Sequence, residues 1–254
     1  MMDKIAYSSK LREKNPCLKT VFAVGTLLLC IFTRNLLFSS FILIGMGLLL
    51  KTYVKTSLHM WIHLIVVPIL FVILSTITIL INISKEPLSG FAVPIGAIYL
   101  TASKEGIKTS CNLAMTAFAS ISCLYFLSLT TPVIDLLTVL KVIRCPSLII
   151  ELILLIYRFI FILANTASSI HTAQKCRLSE TNYRTLLSAW SQMLAILFVL
   201  ALKRSRAVYD AMEARCYDGR INVLLEMPQV SIKEKWMLGG YFGFMILLAI
   251  IIGL

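Results

Sequence analysis

The sequence predicts an all-α integral membrane protein with about five transmembrane helices, five to seven in all. Three observations carry that reading. Hydrophobic residues make up 59% of the 254 positions and charged residues only 14%, against about 45–50% apolar in a soluble domain. The apolar residues fall in runs approaching the roughly 20 needed to cross a bilayer. Once the spans alternate, the lysines and arginines concentrate on one side of the membrane.

The spans follow in order. Residues 20–33, TVFAVGTLLLCIFT, and 36–50, LLFSSFILIGMGLLL, are separated only by Arg34 and Asn35. They read as a tight helical hairpin. Residues 61–83 form a third span, 109–131 a fourth rich in Ala, Ser and Thr, and 236–254 a last one. The chain divides into N-terminal transmembrane helices (1–131), a middle region (132–235) and a C-terminal transmembrane helix (236–254).

An N-terminus in the cytoplasm places twenty of the 24 basic residues inside; Arg34, Lys85, Lys104 and Lys108 lie outside. Short loops then obey the positive-inside rule. The +12 net charge flanks apolar helices and forms no single run, which argues against nucleic acid as a partner. The basic start KLREKNPCLK enters the first span without a small-residue cleavage pattern, so no cleavable signal peptide is expected. The reading is a multi-pass protein of the cell membrane.

Catalytic signals are weak. The seven cysteines contain no Cys-x-x-Cys pair and read as small hydrophobes. His59 and His63 share a helix face, but no acid accompanies them and a zinc site needs three or four ligands. Neither a Gly-x-Ser-x-Gly nor a Walker loop is present. No metal, cofactor or catalytic residue is expected, and any ATP hydrolysis belongs to another chain. No internal repeat of the kind common in secondary carriers is evident. Pro68 and Pro94 are candidate helix breakers.

The middle region reads as three helical pieces. The first is TTPVIDLLTVLKVIRCP, with Thr131 as cap, Pro132 at the first helical position and Pro146 as stop. Asp135, Thr138, Lys141 and Arg144 make a narrow polar stripe on it. The second begins near Ser147. Its Glu151 and Arg158 are seven apart on one face and suit an ion pair or polar contact inside a bundle. It ends at Lys175-Cys176-Arg177. The third runs from TNYRTLL to SRAVYDAMEARCYDG. Ala207, Ala211 and Ala214 offer a face for close helix crossing, Arg206 and Asp210 a possible pair, and Gly219 the stop. Residues 147–165 and 183–202 are apolar enough to enter the membrane as a pair, which gives seven crossings. Two long helices therefore each end on an arginine, Arg177 and Arg215. An arginine there presents a planar five-donor fork suited to a carboxylate.

These stretches resemble the transmembrane T component of energy-coupling factor (ECF) transporters, in its cobalt-type, CbiQ-like branch. TTPVIDLLTVLKVIRCPSLIIELILLIYRFIFIL, AQKCRL and SRAVYDAMEARCYDG carry the resemblance, with NPCLKT and TASKEGIKTS in support. The resemblance implies long coupling helices on the cytoplasmic side, each ending in an Ala-Arg-Gly-like motif that docks on one of two ABC-type ATPase subunits. Carried over, the docking motifs are Cys176-Arg177-Leu178 and Ala214-Arg215-Cys216, with Leu178 and Cys216 in place of the usual Gly. Glu213, Tyr217, Asp218 and Gly219, with Glu151 and Arg158, support them. The implied function is an ATP-driven importer subunit that passes ATPase motion to a substrate-binding membrane subunit. Cobalt is the favoured substrate, nickel next. A vitamin ECF module and a stand-alone carrier are the alternatives.

Overall fold

A computed structural model describes residues 2–9, 11–12, 14–54, 58–80, 82–84, 90–95, 98–177, 181–219, 228 and 230–253. The described chain runs α1 (Met2–Ser8), α2 (Pro16–Thr33), α3 (Leu36–Val54), α4 (Leu58–Leu80), β1 (Asn82–Ser84), β2 (Gly90–Ile95), β3 (Ile98–Ser103), α5 (Lys104–Thr130), α6 (Val133–Val142), α7 (Ser147–Cys176), α8 (Tyr183–Glu213) and α9 (Ile232–Gly253). Among the described residues six helices are long and apolar enough to cross a membrane: α2, α3, α5, α7, α8 and α9. The protein is an all-α, multi-pass membrane protein in its bulk. One addition departs from expectation. The stretch after α4 forms a small antiparallel sheet of order β1-β3-β2, with Ile95 opposite Ile98 and Asn82 opposite Thr101. Pro94 lies in β2, an edge strand, where a missing N–H costs the ladder least. Pro68 lies inside α4 without ending it.

The chain divides into two compact units, residues 1–139 with 226–254, and residues 140–225. The first packs α2, α3, α5 and α9 around Ala23, Cys30, Phe38, Ile42, Met46, Ala119, Cys123, Phe126 and Met245. The hairpin between α2 and α3 forms as the sequence suggests. Arg34 takes a left-handed φ of 43° and its N–H closes on Cys30 O, while Asn35 Oδ1 accepts from Leu37 N at 3.3 Å. At the other end of α2, Asn15 caps by accepting from Cys17 N at 2.9 Å, with Pro16 at the first position. Several polar side chains inside this bundle pair with one another, as a bilayer interior favours. Ser39 Oγ and Thr116 Oγ1 are 3.2 Å apart, and Thr26 reaches Cys123 Sγ at 3.6 Å.

Lys19 is buried within the same bundle, at 6% exposure. Its ammonium donates to Leu11 O at 3.1 Å and to Thr130 O at 3.2 Å, so it satisfies a carbonyl at the C-terminal end of α5. The approach to α9 is also fixed: Asn15 Nδ2 donates to Pro228 O at 2.8 Å, and Lys14 pairs with Glu234 at 3.0 Å.

The start of α6 is shifted by one residue from expectation. Pro132 O accepts from both Asp135 N and Leu136 N, which makes Pro132 the cap and Val133 the first helical residue. Thr131 is buried and its Oγ1 has no hydrogen-bond partner among the described residues, so it does not cap. At the far end, Arg144 N donates to Lys141 O and Cys145 N to Leu140 O, with Arg144 at φ 63°. That pair of bonds is a Schellman closure, here with arginine at the left-handed position that glycine usually fills.

Candidate functional site

The second unit is built on α7 and α8, and four contacts show that they run antiparallel. Tyr217 just past α8 bonds Glu151 near the start of α7. Arg204 reaches Thr166 at mid-length. Gln174 Nε2 donates to Ala189 O at 2.9 Å, and the His171 and Trp190 rings lie 5.8 Å apart. Arg177 therefore follows α7 at one end of the hairpin and Arg215 follows α8 at the other. The 31 residues of α8 span about 46 Å at 1.5 Å per residue. The pair has little interior: α7 has no buried residue among those described, and α8 buries Ala189 and Met193. Leu148, Leu152, Ile156, Leu194, Phe198 and Leu202 are exposed.

The Arg215 tip is a defined turn. Cys216 N donates to Glu213 O at 3.0 Å and Tyr217 N to Met212 O at 3.1 Å. These bonds again form a Schellman closure, with Cys216 at φ 59° as its left-handed residue. The stop of α8 is thus Cys216, three residues before Gly219, which lies further along the turn at φ 86°. The left-handed backbone that a glycine would favour is present although the residue is cysteine. Glu213, Ala214, Arg215, Cys216, Asp218 and Gly219 are all exposed. The turn then folds back onto α7: the Tyr217 hydroxyl donates to Glu151 Oε2 at 2.6 Å. That bond to a carboxylate raises the Tyr217 pKa above its ordinary value, partial burial adding to it. Behind the turn a groove of about 350 Å³ runs between Leu148, Leu152 and Phe159 on α7 and Val208 and Met212 on α8.

The Arg177 tip is built differently. Arg177 has φ −93°, and its N–H donates to Gln174 O and Lys175 O. Cys176 and Arg177 are exposed; Leu178 lies outside the described residues. Neither the Arg177 nor the Arg215 guanidinium has a hydrogen-bond or ion-pair partner among the described residues.

Several pairings read from spacing alone do not form. Glu151 and Arg158 are not joined; Glu151 takes the Tyr217 hydroxyl and Arg158 is exposed. A shared face seven residues apart permits a contact, but a tyrosine arriving from the next helix meets the carboxylate instead. Arg206 and Asp210 form no ion pair either. The alanines at 207, 211 and 214 are exposed, because α8 turns Val208, Tyr209 and Met212 toward α7 instead. The side chains of His59 and His63 lie outside the described residues. Among the described residues no group of three or more His, Cys, Asp or Glu is placed to hold a metal. Gln174 and the left-handed Cys216 went unread in the sequence. The former carries no motif, and the latter is a residue type that rarely advertises positive φ.

Comparison with known proteins adds a family. The CbiQ family, described as cobalt transport protein, matches residues 7–225. A CbiQ cobalt transport protein of Rhodobacter capsulatus is 30% identical over 232 residues, covering 91% of this chain and 89% of that one. An uncharacterised protein of Methanocaldococcus jannaschii is 28% identical over 254 residues, covering 98% of this chain and 92% of the relative. A Methanocorpusculum labreanum protein named "Putative fused cobalt transport protein CbiMQ" is 28% identical over 221 residues, and this chain spans 37% of its length.

Proposed function

The chain belongs to the CbiQ family of cobalt transport proteins, and on that premise we propose that it is the membrane coupling subunit of an ATP-driven ECF-type cobalt importer. Two arginine tips whose forks have no partner among the described residues, at opposite ends of one antiparallel hairpin, carry the reading. Each fork enters an acidic groove on one of two ABC-type ATPase subunits, where a carboxylate accepts paired N–H donors. A hairpin about 46 Å long spaces the two docking points for two subunits side by side. ATP-driven motion of the ATPases moves the tips, and the exposed apolar faces of α7 and α8 pass it to a substrate-binding membrane subunit. The fused CbiMQ relative supports a second membrane part working beside a CbiQ-like one. The chain itself is not catalytic.

The docking reading requires the hairpin to lie along the cytoplasmic face, with the N-terminus on that side. Helices crossing as an antiparallel pair would leave the two arginines on opposite sides of the membrane. The hairpin's own register argues against crossing. Glu151 meets Tyr217 and Thr166 meets Arg204, so the apolar first half of α7 runs beside the polar end of α8, with Lys203, Arg206, Asp210 and Glu213. A membrane hairpin needs its apolar stretches at the same depth.

Two experiments test this. Arg177→Ala and Arg215→Ala each reduce recovery of the ATPases with the tagged chain, and the double variant reduces it further; full recovery and uptake in the double variant sinks the proposal. Cys176 and Cys216 adjoin the two arginines and are exposed. In single-cysteine variants, both react with an impermeant maleimide from the cytoplasmic side. Labelling from opposite sides contradicts the docking geometry.

A further inference from the structure

We propose that Tyr217 and Glu151 are positioning residues for Arg215: their hydrogen bond holds the left-handed turn at the end of α8 against α7 and so fixes the direction of the arginine fork before any partner arrives. The inference rests on the docking reading and goes beyond it, because neither residue needs to touch the ATPase.

The geometry has three parts. First, the Schellman closure through Glu213, Met212, Cys216 and Tyr217 sets the local backbone. It fixes the turn relative to α8 alone. Second, the turn is exposed from Glu213 to Cys216, and its left-handed residue is a cysteine at φ 59°. A non-glycine residue gains nothing from that conformation by itself, so the turn profits from a second restraint. Third, the Tyr217–Glu151 bond supplies one across 66 positions of sequence. At 2.6 Å it lies in the range of a charge-assisted O–H···O⁻ bond.

The surroundings favour that bond. Glu151 is half-buried in the groove lined by Leu148, Leu152, Leu155 and Phe159, where fewer waters compete for the carboxylate. The Arg177 tip uses another device, the Gln174 amide on a backbone carbonyl. A change at Tyr217 therefore acts on one tip and spares the other. An ordered fork loses less freedom on docking, and that saving appears as affinity.

The test titrates the ATPase pair that co-purifies with the wild-type chain onto chain variants in nanodiscs. Tyr217→Phe removes the donor and weakens binding about tenfold, equivalent to about 1.4 kcal/mol. Glu151→Gln keeps an acceptor oxygen without its charge and weakens binding about threefold, whereas Glu151→Leu matches Tyr217→Phe; a neutral hydrogen bond is worth about half of a charge-assisted one. In an Arg215→Ala background Tyr217→Phe has no further effect, while in an Arg177→Ala background it keeps its full effect. A general loss of folding would weaken binding in both backgrounds and lower the melting temperature of the isolated chain. Equal penalties in both backgrounds, or wild-type affinity in Tyr217→Phe beside a weakened Arg215→Ala, overturn the positioning role and leave docking intact. Wild-type affinity in Arg215→Ala removes the docking reading and this inference with it.

Discussion

Replacing Lys19 by methionine isolates what a buried ammonium does inside the first unit. The two side chains have similar length, so the packing of the stem is kept and the charge and its donors are lost. At 6% exposure Lys19 donates to Leu11 O and Thr130 O. Asp135 lies close enough to attract it. Methionine leaves two carbonyls without their donor, at about 1–3 kcal/mol for each buried acceptor. Against this, removing the ammonium also removes its desolvation cost, which offsets part of that loss. The expected net loss is about 2 kcal/mol. For a chain of this size that lowers the melting temperature by roughly 4–8 °C. Paired melts in mild detergent at one scan rate read it, since unfolding of a membrane protein is often irreversible. Lys14→Met is the control: its pair with Glu234 is exposed, 53% and 27% at the two side chains, and such a pair is worth less than about 1 kcal/mol. If Lys19→Met melts with the wild type, or no lower than Lys14→Met, the ammonium does not stabilise the end of α5 and the reasoning fails.

Two further substitutions probe the backbone and the bundle. Cys216→Gly relieves a side chain from φ 59° and raises the stability of the isolated chain by about 0.5–1 kcal/mol; an unchanged or lower melting temperature refutes the left-handed assignment. Gly25 lies under the Phe242 ring, and a Cβ there collides with it. Gly25→Ala costs about 1–3 kcal/mol as overpacking, and adding Phe242→Ala recovers part of the loss. A recovery of nothing at all shows that α2 and α9 do not meet there.

The CbiQ resemblance drawn from the middle of the chain agrees with the family match, because its motifs occur in order over most of the matched residues. The arginine tips were legible for a simpler reason. A charged residue at the end of a long apolar helix, just before a change of composition, marks a helix terminus without any knowledge of neighbours. The turn that follows was not. Gly219 is the obvious stop by residue type, yet the chain turns left-handed at Cys216. The tyrosine that follows meets Glu151 on another helix, a partner that residue type along α8 does not reveal. The Glu151–Arg158 pairing failed for the same reason: helical spacing reports which residues share a face, and says nothing about what a second helix brings to it.

By itself the sequence determined the membrane class, the tight turn at Arg34-Asn35 and the positions of the two arginines. Hydropathy, asparagine-type turn chemistry and charge are local properties that residue type fixes. The tertiary structure alone decided that α7 and α8 run antiparallel with their apolar halves offset, that Lys19 closes the end of α5, and that β1, β2 and β3 pair between α4 and α5. Apart from the β2–β3 pairing, each of these joins residues distant along the chain, where the partner of a hydrogen bond is set by packing and not by the residue that seeks it.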